Sequence, residues 1–438
     1  MWLLPLFPRV AGLATRTFYR TSVSGGEIPR EGPLLLVGNH PNSLLDPLFL
    51  AAVAQRPVRF LAKAPLFSDP RTSWAVEAVG AIPVYRHRDD PALVRQNASM
   101  FRAAHDALRA GAAIGIFPEG MSHDAPSLVP LRTGAARIAL GARSLLGHSI
   151  PIIPIGLVLL SKEEFRSEAH VMIGEPVTWD DIAGAEESAE SVRNLTARID
   201  QALRSVTLNL EKWDDVSLIA AAERISVAEH GAGPEAGTLV DRWQESAHVL
   251  SRSRRNGDAD AVQLAREVRR HARALALFGL LPEDLNADAD LEVAARWSAR
   301  RLGLPAGLVL ASVGAALFWV PYRATGLIVG RAPTDGSGRA SVKLVVGAGL
   351  FILWIAVLSA LAASLGGWKA GLGALLLLPS LAVATLILLE KWSDAWGDAR
   401  RFFLLRSRRK ILDDFRERQT ALALRLRSLR ERVAREHR

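Results

Sequence analysis

The stretch Leu34-Leu35-Leu36-Val37-Gly38-Asn39-His40-Pro41-Asn42-Ser43-Leu44-Leu45-Asp46-Pro47 changes character twice. An unbroken apolar run ends at Gly38, polar residues and a proline follow, and a second apolar run opens at Leu44. This is the pattern of a strand, a tight turn and a helix. His40 falls on the turn and Asp46 near the start of the helix.

The same alternation continues outward from this segment. Apolar, β-rich runs at Val58–Lys63, Ala81–Tyr85, Ala113–Phe117, Ile152–Leu157 and His170–Gly174 read as further strands. Helical patterns lie between them at Leu44–Ala54, Ser73–Val79, Leu93–Arg109 and Thr133–Leu146. Leu93–Arg109 is the clearest, with Val94, Phe101, Ala104 and Leu108 near a 3.6-residue period. Strands alternating with helices at this spacing predict a layered α/β domain over residues 21–186.

The whole chain is 438 residues long, 49% hydrophobic and 23% charged, enough for more than one core. It contains no cysteine, which excludes disulfides, zinc-thiolate sites and a cysteine-bound acyl intermediate. Net charge is +9, and only seven of the 54 basic residues are lysine. No nucleic-acid motif or aromatic-interleaved basic patch accompanies the charge. The arginines flank apolar segments instead, so anionic lipid headgroups are the expected partner and nucleic acid is not.

Residues 1–20 carry Trp2, Leu3, Leu4, Leu6 and Phe7, then Arg9, Arg16 and Arg20. This suits an interfacial anchor or a segment packed on the domain. Residues 187–301 read as a polar, mostly helical accessory region. Residues 302–392 hold three apolar runs, Leu304–Tyr322, Leu344–Leu365 and Ala370–Leu389. Each approaches the ~20 residues needed to cross a hydrocarbon core. The last two lack internal charge and are joined by Gly366-Gly367-Trp368-Lys369, which predicts a membrane hairpin. The first run has arginines on both sides, which favours a re-entrant or interfacial segment. The tail, 393–438, is helical and Arg-rich, either on a membrane surface or in a coiled-coil contact.

Several residues carry chemistry. An exposed His followed closely by Asp suits general-base catalysis, the carboxylate fixing the imidazole tautomer; a capping or structural role fits the pair equally well. Six residues on an ideal helix rotate by about 600°, so Pro41-Asn42-Ser43 must turn to bring Asp46 back to His40. Gly80-Ala81-Ile82-Pro83-Val84-Tyr85-Arg86 ends a strand on Arg86, a fork donor suited to phosphate. Phe117-Pro118-Glu119-Gly120 ends another on a carboxylate and a flexible glycine. Ile150-Pro151-Ile152-Ile153-Pro154-Ile155-Gly156 is an apolar, proline-marked strand of the kind that lines an acyl pocket. The adjacent Ser122, His123 and Asp124 do not make a triad, since triad members seldom adjoin in sequence.

Taken in order, these four blocks resemble the glycerophospholipid acyltransferase family, which includes glycerol-3-phosphate and lysophosphatidic acid acyltransferases. The resemblance covers residues 30–177 and takes in Leu131-Arg132-Thr133-Gly134-Ala135 and Gly174-Glu175-Pro176. It implies a central mixed sheet flanked by helices. It also implies His40 as base with Asp46 as partner, Arg86 on the acceptor phosphate, Glu119 and Gly120 shaping the acceptor site, and Pro154 by the acyl chain. The family's usual motif has four residues between His and Asp; here there are five, Pro41 to Leu45. The longer form resembles a subset, the fungal-type glycerol-3-phosphate and dihydroxyacetone-phosphate acyltransferases, which also carry C-terminal hydrophobic segments. The expected acceptor is then glycerol-3-phosphate, with lysophosphatidic acid next, and the donor a thioester of CoA or acyl-carrier protein. No metal or other cofactor is expected, and the catalytic domain would face the cytoplasm. The competing class is a non-catalytic lipid-binding or transport protein on the same fold. Against it stands the joint presence of His40, Asp46, Arg86 and Glu119, with no acidic or His residue inside the apolar runs.

Overall fold

The computed structural model describes residues 1–85, 97–182, 188–231, 239–286, 304–332, 336–407 and 409–435. Arg86 and the first four residues of the predicted helix Leu93–Arg109 lie outside the described residues. One compact unit takes in Met1–Trp213, Ala236–Ala247 and Thr334–Ser341. Its strands are β1 (Arg20–Gly25), β2 (Leu34–Gly38), β3 (Val58–Lys63), β4 (Ile82–Val84), β5 (Ala113–Ile116), β6 (Ile152–Leu159) and β7 (Glu168–Ile173). They form one sheet in the order β1-β7-β6-β2-β5-β3-β4. All neighbours are parallel except β6 and β7, so the sheet is mixed. The uninterrupted run Leu34–Val37 is fully buried, which suits the central β2 between β5 and β6.

Among the described residues seven helices lie wholly in this unit: α1 (Phe7–Phe18), α2 (Leu45–Ala54), the short α3 (Pro65–Ser68) and α4 (Ser73–Ala78), α5 (Asn97–Arg109), α6 (Gly134–Leu146) and α7 (Ala189–Val206). Helix α1 packs on α2 through a buried face of Pro8, Ala11, Thr15 and Phe18. Val10 and Leu13 on its other side are exposed, as are Trp2 and Leu6 just before it. Ser188 caps α7 by accepting from the Ser191 amide at 3.0 Å. Helix α7 then lies on β6, β2 and α6, with Val192, Leu195, Ile199 and Leu203 buried. Its last turn approaches Gly156 so closely that a Cβ there would stand 1.7 Å from the Val206 carbonyl oxygen. The α/β unit therefore runs past residue 186 and includes α7.

The second unit takes in Asp214–Glu235, His248–Pro333 and Val342–Arg438. Its helices are α8 (Asp214–His230), the end of α9 (Leu239–Arg255), α10 (Ala259–Phe278), α11 (Leu304–Leu317), α12 (Trp319–Arg331), most of α13 (Gly336–Ser407) and α14 (Arg409–Arg435). Helices α8, α10 and α14 share a core of Leu218, Ala222, Ile225, Leu264, Val268, Leu422 and Ala423. The basic tail is thus one member of a helical bundle. Its arginines meet acids of the neighbouring helices: Arg430 pairs with the buried Glu223 at 3.0 Å, Arg425 with Glu267 and Arg432 with Asp258.

Helix α13 is broken at Gly367, whose φ of 76° is open to glycine at little cost. A Cβ on Gly371 would lie 2.6 Å from that of Ala363, so the two arms fold back on each other as a hairpin. By length and composition Gly338–Phe402 is apolar enough to cross a membrane, and its outer residues such as Ile352 and Leu377 are bare. Helices α11 and α12 are long and apolar enough to span only when taken together, and they bend by 51° where they meet, as a broken or re-entrant segment does. They rest on the hairpin, Phe318 stacking on Phe351 and Trp354 Nε1 donating to the Leu317 carbonyl at 2.9 Å.

Candidate functional site

Parallel strands β2, β3, β4, β5 and β6 bring their C-terminal ends to one edge of the sheet, where open α/β sheets place ligands. His40 follows β2, and Glu119 follows β5, the neighbouring strand. Asn39 prolongs the β2 ladder with its side chain: Nδ2 donates to the Leu157 carbonyl at 3.0 Å, and Oδ1 accepts from the Leu157 amide at 2.7 Å. The chain then turns sharply. Ser43 takes a left-handed φ of 50°, rare for a residue with a Cβ, and α2 begins two residues later.

That turn brings Asp46 back to His40. Asp46 Oδ2 lies 2.7 Å from His40 Nδ1 and also accepts the Asn42 amide at 2.7 Å. Asp46 is fully buried in the first turn of α2, where the helix dipole favours a carboxylate. Burial pushes its carboxyl up from the ordinary value, while the His40 imidazole and the Asn42 amide pull it back. The imidazole stacks on Phe117 at 4.2 Å between ring centres and 13° between planes. With Nδ1 held by Asp46, Nε2 has no hydrogen-bond partner among the described residues.

Glu119 ties the β5 loop to the β2 loop. Its Oε1 accepts the His40 amide at 2.6 Å, and its Oε2 accepts the Val129 amide at 3.2 Å and pairs with His123 Nε2. His123 Nδ1 accepts from the Ala125 amide at 3.1 Å, which leaves the ring proton on Nε2, facing Glu119. The His123 amide in turn donates to the His40 carbonyl at 3.2 Å. Both oxygens of this buried carboxylate meet donors of the protein itself. Gly120 adopts φ +77° in the turn beyond, and a Cβ there would meet Arg132 Cγ at 3.3 Å.

Pro154 lies inside β6 opposite Val37, and the Gly174 amide donates to its carbonyl at 2.9 Å. Behind the His40 loop, the Asn42 Nδ2 donates to the Tyr19 hydroxyl at 2.8 Å, and that hydroxyl donates to the Lys162 carbonyl. Burial pushes the Tyr19 hydroxyl up, so it stays a donor. Lys162 Nζ pairs with Asp124 at 2.9 Å and sits over the Trp213 ring at 3.9 Å. The sequence offered no local signal for Tyr19 or Lys162. His123 was noted only in the Ser122-His123-Asp124 run, which makes no triad. Among the described residues no group of three or more His, Asp or Glu side chains could hold a metal ion.

Residues 20–158 match the family model described as Acyltransferase. The chain is 37% identical over 133 residues to glycerol-3-phosphate O-acyltransferase 2 of Saccharomyces cerevisiae, covering 30% of this chain and 18% of that protein. It is 29% identical over 150 residues to a chloroplastic 1-acyl-sn-glycerol-3-phosphate acyltransferase of Brassica napus, covering 34% of this chain and 40% of that one. The match thus spans less than half the length of either relative. The crystal structure of a 1-acyl-sn-glycerophosphate acyltransferase from Thermotoga maritima matches with a TM-score of 0.36 at 18% identity, over 46% of this chain and 77% of that one.

Proposed function

We propose that the protein, whose residues 20–158 match the family model described as Acyltransferase, transfers a fatty acyl group from a thioester to a hydroxyl of a glycerol-phosphate acceptor, glycerol-3-phosphate ahead of lysophosphatidic acid. The observation that carries this reading is the His40–Asp46 pair: 2.7 Å apart, the carboxylate buried, Nε2 left over at the ligand-binding edge of the sheet. Nε2 takes the proton of the acceptor hydroxyl as the oxygen attacks the thioester carbonyl. Asp46 holds the proton on Nδ1 and offsets the charge of the imidazolium. The C–O bond forms, the C–S bond breaks, and the departing thiolate recovers the proton from His40. A thiol is far more acidic than an alcohol, so the leaving group needs little help.

Arg86, two residues beyond β4, would bind the acceptor phosphate, with Gly120 and the Glu119 loop shaping that side. The donor would be acyl-CoA or acyl-carrier protein. The apolar outer side of α1 and the hairpin of α13 would place the domain on the cytoplasmic face of a membrane. The test is an acceptor screen on isolated membranes with one labelled acyl-CoA. Glycerol-3-phosphate should be acylated faster than dihydroxyacetone phosphate or lysophosphatidic acid. A faster reaction with another acceptor would move the assignment, and no acyl product with any of them would favour a non-catalytic lipid-binding protein.

A further inference from the structure

Ser341 stands far along the chain from His40, yet Thr334–Ser341 belong to the same compact unit as the His40 loop. The Ser341 side chain is buried, and its hydroxyl touches that loop twice. Oγ accepts the Leu44 amide at 3.0 Å and donates to the Asn42 carbonyl at 3.1 Å. These two peptide groups flank Ser43, the residue held at φ 50°. Two residues before, Arg339 reaches both oxygens of Glu163, at 2.9 and 3.2 Å.

The contact matters because of what Asn42 does. Its amide is one of the two donors on Asp46 Oδ2, the other being His40 Nδ1. That amide lies on the peptide between Pro41 and Asn42, one before the two that Ser341 grips, so fixing the left-handed Ser43 backbone bears directly on where this donor sits. Ser341 lies in the second turn of α13. Among the described residues both of its side-chain hydrogen bonds go to the loop.

We propose that Ser341 is a positioning residue of this site: its hydroxyl holds the peptides on either side of Ser43 and so keeps Asp46 aligned on His40. The inference rests on reading His40 as the base. Ser341→Thr and Ser341→Val separate a hydroxyl from a shape, since the two side chains differ by little else. In the full-length protein in detergent, Ser341→Val should lower kcat about ten-fold while both substrate KM values move less than about two-fold. Ser341→Thr should stay within about three-fold of the parent. Hydrogen exchange of peptides spanning Pro41–Leu45 should quicken in the Val variant and not in the Thr variant, with β2 and β5 peptides unchanged in both. Thr and Val variants that match in kcat and in exchange would overturn the proposal. Should the parent protein transfer no acyl group, the assignment of His40 as base falls; the exchange difference still decides whether Ser341 holds the loop.

Discussion

Glu119 gathers the His40 amide, the Val129 amide and His123 Nε2 on one carboxylate that solvent scarcely reaches. Glu119→Gln keeps one acceptor and turns an NH2 group toward donors. Losing a charge-assisted bond and opposing donors should cost about 2–3 kcal/mol, visible as a lower thermal midpoint, and should cut kcat more than about ten-fold by freeing the His40 loop. A variant of parental stability, with only the acceptor KM raised, would instead put Glu119 on the acceptor. The sequence made His40 and Asp46 legible because both fall in one short segment whose turn is marked by Pro41-Asn42-Ser43. It did not reveal His123 as a partner of Glu119, because the Ser122-His123-Asp124 run was set aside as no triad and nothing else in the sequence pairs that ring with the carboxylate. Ser341 was out of reach altogether: its partners lie 297 and 299 positions away, and no local pattern encodes such a contact.

Among the elements, strands with unbroken apolar runs were readable to within a few residues: the predicted Leu34–Gly38 and Val58–Lys63 coincide with β2 and β3. Strand β1 was not, since Arg20–Gly25 is an exposed edge strand with no apolar alternation to signal it. Helix α7 was seen as helical but set apart from the sheet, although its buried face recurs every three or four residues. What fixes it to the sheet is a missing side chain, at Gly156. Gly156→Ala would drive a methyl into the Val206 carbonyl and lift α7 from β6. We expect a loss of at least about 3 kcal/mol in denaturant unfolding, at the severe end for a point substitution. A variant as stable as the parent would show that α7 does not seat on Gly156.

At the scale of the molecule, the apolar hairpin and the arginine tail behave differently although both suggested a membrane. The hairpin bares its apolar residues, whereas α14 buries Leu412, Phe415, Leu422 and Ala423 within its own unit. Composition registers the basic charge of the tail but not the acids that meet it, which lie on α8 and α10. Salt weakens arginine–headgroup attraction without loosening an apolar hairpin. The full-length protein should therefore stay with membranes in high salt and leave only in detergent, and release by salt alone would refute the hairpin as a membrane anchor. All of this serves one chemical claim, that His40 removes the proton of the acceptor hydroxyl. The most direct test is turnover of purified full-length His40→Ala with acyl-CoA and glycerol-3-phosphate, its fold checked by the parental unfolding profile. The account predicts kcat lower by about 10²–10⁴ with the protein still folded; near-parental turnover in that folded variant would contradict it.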